Sequence, residues 1–192
     1  MPWLIVVLGY LLGSIPTAHI AGRILKRVDI RRIGDGNMGA ANAFRHLGAK
    51  VGVAVGIIDA AKGAVAVIIA QAASLPLAAV LATGVAAVVG HNWPVFISFR
   101  GGRGESTTIG VLLALLTVPM LIIAGPAIAA HFILRNTTKA AAFIFVPLPL
   151  VCWWLGASGA LIAYSMGLPS LVGFTHFLRT RRTVDNSRTR GA

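Results

Sequence analysis

Charged residues are scarce in this sequence, and their scarcity decides the class of protein. They make up 11% of the 192 residues, and only 5 residues are acidic, whereas hydrophobic residues make up 57%. A soluble globular domain carries roughly 25% charged residues. The deficit, together with apolar runs long enough to cross a bilayer, argues against a soluble enzyme and indicates an integral membrane protein.

Several kinds of site chemistry are also missing from the sequence. The single cysteine, Cys152, lies inside an apolar run, so neither a disulfide nor a thiolate metal cluster is supported. The sequence has no GxSxG motif, no HEXXH motif and no group of carboxylates able to hold a catalytic metal. The GxGxxG spacing at residues 34–39 lacks the strand–turn–helix context of a nucleotide-binding fold. We therefore expect no metal and no cofactor.

The apolar runs predict an all-α, polytopic membrane protein with about seven transmembrane helices. A single transmembrane domain is expected over residues 1–178, followed by a basic, disordered tail over residues 179–192. Pro16 predicts a kink in the first span, and the boundary between the fourth and fifth spans, near Pro119–Pro126, stays open. The predicted spans cover about Pro2–Gly22, Val51–Ala73, Leu77–Val89, Thr108–Pro119 (with or without Leu121–Ala124), Ala127–Leu134, Ala140–Leu155 and Ala160–Phe174.

Basic residues lie at the ends of the apolar runs, where they set the topology. Of the 17 Lys and Arg residues, 16 fall in the segments 23–50, 100–103, 135–139 and 179–190, which alternating spans place on one side of the membrane. The positive-inside rule then puts the N-terminus outside and the C-terminus in the cytoplasm. The basic tail lacks interleaved aromatic residues, so we expect it to bind anionic lipid headgroups and no nucleic acid.

Two polar, glycine-rich segments interrupt the apolar chain, and the topology places both on the cytoplasmic face. The first, residues 33–45, reads IGDGNMGAANAFR, and the second, residues 101–107, reads GGRGEST. Glycine backbones can turn N–H groups toward an anion, a helix starting at Ala40–Leu47 adds to that attraction, and arginine suits phosphate. A plain turn whose Arg45 meets lipid phosphate remains an open alternative. The candidate anion-binding residues are Gly34, Gly36, Gly39, Asn42, Arg45, Gly101, Gly102, Arg103, Gly104 and Thr107.

Asp59 and Lys62 form a rare pair of charges inside a predicted span. They are three residues apart and so share one helix face, where they can pair. Charges inside a membrane are costly and usually face the interior of the bundle or a polar cavity. A neutralised pair that braces two helices and a pair that serves the active site both remain open.

At these residues the sequence resembles the bacterial acyl-phosphate:glycerol-3-phosphate acyltransferases, and the resemblance spans most of the chain. It implies a seven-helix membrane enzyme whose active site lies at the cytoplasmic interface. It also implies transfer of a fatty acyl group from acyl phosphate to the 1-hydroxyl of glycerol 3-phosphate, giving lysophosphatidic acid for phospholipid synthesis. The shared motifs are Gly13-Ser14-Ile15-Pro16, GxGNxGAxNxxR at Gly34–Arg45, Asp59 with Lys62-Gly63, Gly90-His91 followed by Pro94, GG(K/R)GxxT at Gly101–Thr107, and a late histidine, His176.

The roles that the resemblance implies agree with the chemistry of the residues. Acyl phosphate is already activated, so the protein mainly orients two anions and stabilises developing negative charge. Arg45 and the glycine segments would hold one phosphate and Arg103 the second anionic group. His176 or His91 would polarise the attacking hydroxyl or the carbonyl. The candidate catalytic residues are Asn37, His91, His176 and Asp35; the expected partners of this monomer are acyl phosphate, glycerol 3-phosphate and membrane lipids.

The sequence departs from the family pattern at several of these positions. Asp35 stands in place of the usual serine, and a carboxylate in a phosphate site repels its ligand unless it is protonated or paired. We therefore predict an ion pair between Asp35 and Arg103 across the two segments. The departures leave open a paralogue with a different acceptor, a membrane scaffold without catalysis and, less favoured, a small transporter. The other departures are Ala41 for threonine, Arg103 for lysine, Glu105, Lys139–Ala141, Thr175 and Arg179 for asparagine.

Overall fold

Helices alone make up the regular structure of the described part of the chain. The computed structural model describes the backbone of residues 1–134 and 137–189 and the side chains of residues 1–130, 132–134 and 139–179. Short 3₁₀ turns at Ile30–Arg32 and Val95–Ile97 lie between the longer helices. The α-helices are α1 (Pro2–Gly13), α2 (Thr17–Lys26), α3 (Ala40–Leu47), α4 (Ala49–Ala72), α5 (Leu77–Asn92), α6 (Glu105–Leu115), α7 (Thr117–Leu134), α8 (Thr137–Phe145), α9 (Leu148–Trp154) and α10 (Gly159–Thr189). The all-α prediction is confirmed for these residues.

Five of the helical stretches are long and apolar enough to cross a membrane. They are Pro2–Lys26, Ala49–Ala72, Leu77–Ile97, Thr117–Leu134 and Gly159–Arg179. Two further apolar helical stretches are shorter: Glu105–Leu115, and Lys139–Trp154, which contains most of α8 and all of α9. The lengths and composition of these helices are those of a multi-pass membrane protein.

The first span breaks between α1 and α2, as Pro16 predicts. The break frees the carbonyl of Ile15, which accepts a hydrogen bond from Lys62 Nζ at 3.0 Å. Thr17 Oγ1 donates to Asp59 Oδ1 at 3.0 Å, and Lys62 Nζ lies 2.8 Å from the same oxygen. The Asp59–Lys62 pair of α4 thus satisfies the polar groups that the proline exposes, which is how an interrupted helix is tolerated in a membrane.

Glycines let the central helices approach one another backbone to backbone. A Cβ atom on Gly13 of α1 would lie 2.0 Å from the carbonyl oxygen of Ala87 in α5. A Cβ atom on Gly110 of α6 would lie 1.8 Å from the carbonyl oxygen of Ala60 in α4. No larger side chain fits at either contact, and small residues at such crossings are the usual means by which membrane helices pack. These contacts fix α6, and with it the second glycine-rich segment, against α4.

The predicted boundaries of the fourth and fifth spans are wrong. Helix α6 ends at Leu115, and α7 runs without interruption from Thr117 to Leu134, so no turn separates Pro119 from Pro126. Pro119 lies in the first turn of α7, where a missing N–H costs nothing. Pro126 lies inside the helix and removes a single backbone hydrogen bond, a loss that membrane helices accommodate.

The last part of the chain also differs from the predicted spans. The predicted sixth span, Ala140–Leu155, is divided into α8 and α9 at Pro147, because a proline disfavours helix at the residue before it. Helix α10 continues beyond the predicted end at Phe174 to Thr189. It thus passes through residue 179, where the sequence places the start of a tail; a separate tail over 179–192 stays a prediction.

Candidate active site between two glycine-rich segments

The first glycine-rich segment turns sharply before α3. Gly34 and Gly36 have φ angles of +61° and +67°, which L side chains rarely adopt. Helix α3 begins at Ala40, as the sequence predicts. A Cβ atom on Gly34 would lie 2.3 Å from Asn42 Oδ1 and 2.3 Å from His46 Nε2. Glycine is therefore required here by two contacts as well as by the turn.

Asn42 holds the first segment in shape from behind. Its side chain is fully buried, and Nδ2 donates to the carbonyl oxygens of Asn37 at 2.9 Å and Ile33 at 3.1 Å. The N–H of Gly36 donates to Ile33 as well. Asn42 therefore braces the turn, and a direct contact between Asn42 and substrate stays a prediction.

Asp35 joins the two segments through two arginines. Its Oδ2 accepts from Arg103 Nη2 at 3.3 Å and from Arg45 Nη2 at 3.4 Å. Its Oδ1 accepts from the backbone N–H of Asn37 at 3.1 Å. The predicted Asp35–Arg103 pair is confirmed, and the second partner, Arg45, is one that the sequence analysis missed.

The second glycine-rich segment folds back over the C-terminal end of α5. The N–H of Gly101 donates to Asn92 O at 3.2 Å, and the N–H of Gly102 donates to His91 O at 3.0 Å. These two amide groups are therefore already paired inside the protein. Gly104 has a φ of +85° and turns the chain into α6. Because these amides are occupied, the positive charges of the arginines are the groups that remain to attract an anion.

Arg179 of α10 fixes this second segment from the other side. Its guanidinium donates to the carbonyl oxygens of Gly101 and Asn92, the second at 2.7 Å. Asn92 Nδ2 also donates to Thr175 Oγ1 at 3.3 Å. The departures at Thr175 and Arg179 thus form a brace between α10 and the segment, which no local sequence pattern predicts.

His91 connects the second segment to the buried ion pair of α4. Its Nδ1 lies 3.6 Å from Asp59 Oδ1, and its side chain is 6% exposed. A Cβ atom on Gly102 would lie 2.0 Å from His91 Nε2, so the imidazole packs directly beneath the glycine. His91, Asp59 and Lys62 form one buried polar cluster under the segment.

His176 and Thr107, two further residues that the sequence predicts for the site, differ in their surroundings. His176 is half-buried on α10 and lies close enough to Arg103 and Asp35 to interact electrostatically with both. Thr107 is fully buried, and its carbonyl oxygen would be 2.4 Å from a Cβ atom on Gly63 of α4. His176 therefore belongs to the charged cluster, whereas Thr107 packs in the α4–α6 contact.

A cavity of about 580 Å³ opens beside the two segments, within the size range of sites for small ligands. One end is polar and the other is apolar. The polar end, beside the two segments, contains Asn37, Gly39, Ala40, Ala41, Asp59, His91, Arg103, Gly104, Glu105 and Ser106. The apolar end contains Ile109, Leu113, Met120, Leu121, Ala124, Ala127, Ile128, Phe132, Ala140, Ala141 and Ile144 of α6, α7 and α8.

Several apolar wall residues of the cavity also face the outside of the bundle. The exposed fractions of Leu121, Ile128 and Phe132 are 62%, 58% and 74%. Each of these three side chains therefore borders both the cavity and the surroundings of the bundle. The sequence does not reveal this wall, because hydropathy does not distinguish an apolar residue that faces lipid from one that faces a cavity.

The candidate residues divide into three groups. Asn37, Gly39, His91, Arg103 and Gly104 line the cavity. Asp35, Arg45 and His176 gather around Arg103 at its polar end. The described residues contain no group of His, Cys, Asp and Glu that could hold a metal. The remaining candidates are Gly34, Gly36, Asn42, Gly101, Gly102 and Thr107, which, like Asp35, Arg45 and His176, are not among the residues that line the cavity.

A second carboxylate with several cationic neighbours is Asp29, which is not among the residues that line the cavity. Asp29 pairs with Arg31 at 2.7 Å, His19 at 3.3 Å and Arg23 at 3.6 Å. The hydrogen bond from Arg31 holds the pKa of this carboxyl far below its usual value, since it favours the charged form. This cluster holds the 3₁₀ turn Ile30–Arg32 against α2.

Comparison with known proteins assigns the fold to a family. A family model described as glycerol-3-phosphate acyltransferase matches residues 3–186. A protein of Dehalococcoides mccartyi named glycerol-3-phosphate acyltransferase 4 is 48% identical over 182 residues, which cover 95% of this chain and 98% of that protein.

Solved structures give the same assignment. This chain matches the crystal structure of PlsY (YgiH), an integral membrane glycerol 3-phosphate acyltransferase, in its glycerol 3-phosphate form, with a TM-score of 0.82. The two sequences are 29% identical, and the match covers 96% of this chain and 92% of that chain. Its lysophosphatidic acid form matches with a TM-score of 0.79 at 28% identity over the same shares of the two chains. This chain belongs to the glycerol-3-phosphate acyltransferase family.

Proposed function

We propose that this membrane enzyme transfers a fatty acyl group from acyl phosphate to the 1-hydroxyl of glycerol 3-phosphate and releases lysophosphatidic acid for phospholipid synthesis. The observation that carries the proposal is the cavity with an apolar end between α6, α7 and α8 and a polar end at Arg103. An acyl phosphate has the same division, a hydrocarbon chain attached to an anion.

The donor fits the cavity along its length. The hydrocarbon chain would lie against Leu113, Met120 and Ala140, in surroundings as apolar as the lipid chains that it leaves. The phosphate would then lie at the polar end, where Arg103 supplies positive charge and the Nδ2 group of Asn37 can donate a hydrogen bond.

The acceptor fits the charged cluster around Arg103. Arg45 and Arg103 both turn a guanidinium nitrogen toward one point, the Asp35 carboxylate. Two guanidinium groups at one point suit the phosphate of glycerol 3-phosphate. His176, beside them, would stand within reach of the glycerol hydroxyls, and Gly34, Gly36, Gly39, Gly101, Gly102 and Gly104 would shape the two segments that carry these groups.

The reaction requires one nucleophilic attack. The 1-hydroxyl oxygen forms a bond to the acyl carbon, the bond from that carbon to the phosphate oxygen breaks, and inorganic phosphate leaves. The hydroxyl proton passes to a base, for which His176 at the mouth and His91 beneath the second segment are the candidates. Arg103 and Arg45 would stabilise the negative charge that develops on carbonyl and phosphate oxygens.

The topology that we propose has seven spans, with the N-terminus outside and the active site on the cytoplasmic face of a bacterial plasma membrane. The five long apolar stretches and the two shorter ones would give an odd number of crossings. The basic residues 23–50 and 100–103 would then lie in the cytoplasm, consistent with the positive-inside rule. We propose that the protein acts as a monomer and that its basic C-terminal residues contact anionic lipid.

Acyl transfer by the purified protein from palmitoyl phosphate to glycerol 3-phosphate tests the proposal. We expect transfer by the wild type and a loss of about 100-fold or more in Arg45→Ala, the scale of losing one preorganised donor to a developing charge. Arg23→Ala is the matched control, because both side chains are about half exposed, 55% and 56%, and each pairs with one aspartate.

Two results would contradict the proposal or redirect it. If the Arg45→Ala variant transfers the acyl group as well as the wild type does, Arg45 does not bind the phosphate. If the wild type transfers no acyl group to glycerol 3-phosphate but does transfer it to another phosphorylated alcohol, the result supports a paralogue with a different acceptor. If it transfers no acyl group to any acceptor, the result supports a scaffold without catalysis.

A further inference from the structure

We propose that Asp35 is an internal competitor of the substrate: its carboxylate occupies the two arginines that bind phosphate, and the phosphate must displace it. This inference rests on the proposed function only for the identity of the phosphate compound. The ligand chemistry is a phosphate group on glycerol 3-phosphate or on the acyl donor, and the experiment below separates these two sources.

The geometry around Asp35 is that of an occupied anion site. A single oxygen, Oδ2, accepts from both Arg45 Nη2 and Arg103 Nη2. One phosphate oxygen could accept the same two donors. The arginines come from separate parts of the chain, α3 and the second segment, and both contact the same carboxylate oxygen between them. The carboxylate therefore supplies what a bound phosphate would supply.

The contacts of the carboxylate are loose enough to be exchanged. The distances of 3.3 and 3.4 Å exceed the roughly 2.7–2.9 Å of a strong charge-assisted hydrogen bond. The Asp35 side chain is 31% exposed, so water can replace the arginines around it without a large desolvation cost. A phosphate with more charge and more acceptor oxygens than a carboxylate can displace it.

The two oxygens of Asp35 have separate tasks, which makes the competition testable. Oδ1 accepts from the N–H of Asn37 and shapes the first segment, whereas Oδ2 alone meets the arginines. Asparagine keeps an oxygen for Asn37 and presents an NH₂ group, which cannot accept, to the arginines. Asp35→Asn therefore removes the competitor and keeps the turn. Asp35→Ser, whose hydroxyl can also accept from Asn37, is the second variant.

The first experiment measures KM separately for glycerol 3-phosphate and for palmitoyl phosphate with the purified full-length protein. We expect Asp35→Asn to lower KM for one of them by about three- to tenfold, the effect of releasing one or two partly exposed ion pairs. The compound whose KM falls is the one that displaces Asp35. Asp29→Asn is the control: its carboxylate also pairs with arginines, but these are Arg23 and Arg31, which neither pair with Asp35 nor line the cavity, and its KM values should equal those of the wild type.

The second experiment needs no acyl transfer. Inorganic phosphate is titrated into the purified wild type, Asp35→Asn, Asp35→Ser and Asp29→Asn while the thermal unfolding midpoint is followed. Phosphate should stabilise both Asp35 variants at about three- to tenfold lower concentration than it stabilises the wild type and Asp29→Asn. If the wild type transfers no acyl group but this shift is present, the proposed function fails and the competition stands.

A different set of results would overturn the competition. KM values and phosphate titrations that do not change in Asp35→Asn and Asp35→Ser would show that the carboxylate is no obstacle. A rise in KM, or a fall in kcat with KM unchanged, would make Asp35 an organiser of the arginines or a catalytic residue. Active transfer with any of these results would leave the proposed function intact.

Discussion

Asp29 and Asp35 each meet two arginines, but the two clusters differ in how tightly they are closed. The Asp29 side chain is 8% exposed and lies 2.7 Å from Arg31, which donates through its backbone N–H, Nε and Nη2. The more exposed Asp35 holds its arginines at 3.3 and 3.4 Å. The same residue types thus form a closed, structural cluster around Asp29 and an open cluster around Asp35, whose contacts can be exchanged.

Removing an arginine from each cluster is expected to give the largest difference between them. Arg103→Ala should lower kcat/KM for acyl transfer by about 100-fold or more, because Arg103 lines the cavity and would stabilise the charge that develops on oxygen. Arg31→Ala should lower the thermal midpoint and leave kcat/KM within a few-fold of the wild type. The measurement is steady-state transfer by both variants, normalised to folded protein.

The comparison would fail if the two variants behaved alike. Equal losses of activity would mean that the Asp29 cluster shapes the active site as strongly as Arg103 does. Arg103→Lys sharpens the result, since it keeps the charge and loses the planar fork; recovery of most of the activity would show that charge alone is required.

Neutralising each aspartate is expected to give the next largest effect, this time on stability. Asp29→Asn removes hydrogen bonds between charged groups in a nearly closed site and should cost about 2 kcal/mol, roughly 4–8 °C in the thermal midpoint. Asp35→Asn, at a more exposed site, should cost less than about 1 kcal/mol. Thermal unfolding of the purified proteins without phosphate measures both.

The pH dependence identifies the source of the Asp29 effect. Because its folded pKa is lowered below the ordinary 3.8 by the hydrogen bond from Arg31, the stabilisation is complete above that value and is lost as the pH falls through the folded pKa. The difference between the wild type and Asp29→Asn should therefore be constant near neutral pH and should shrink below about pH 4. A difference that grows in acid would contradict the assignment.

Salt should produce the smallest effect. Exposed charges are screened as ionic strength rises, whereas buried pairs are screened much less. The ratio of the wild-type KM to the Asp35→Asn KM should shrink by about two- to threefold between low salt and about 0.5 M salt, and the stability cost of Asp29→Asn should hardly change. Kinetics and unfolding in the same salt series check both statements.

The sequence predicts those features whose causes lie close together in the chain. Pro16 predicts the break of the first span, the i, i+3 spacing predicts the pairing of Asp59 with Lys62, and the run after Gly39 predicts the start of α3. The Asp35–Arg103 pair is predicted although the two residues are distant, because a carboxylate in an anion site requires a nearby cation.

Other features depend on distant contacts that no local pattern records. Arg179 donates to carbonyl groups, which every residue has, so its partners cannot be read from residue types. Pro119 and Pro126 are compatible with a turn or with a helix, and packing of α7 decides between them. The apolar cavity wall looks the same in sequence as a lipid-facing surface.

The wall formed by Leu121, Ile128 and Phe132 borders the bilayer, so the two substrates reach the cavity from different phases and their concentrations are expressed in different units. A lipid donor that enters between these side chains arrives from the bilayer, and its availability is a mole fraction in the membrane. The water-soluble acceptor arrives from the aqueous phase and is measured in moles per litre. Diluting the membrane with inert lipid should therefore slow the enzyme even when the bulk amounts of both substrates are unchanged.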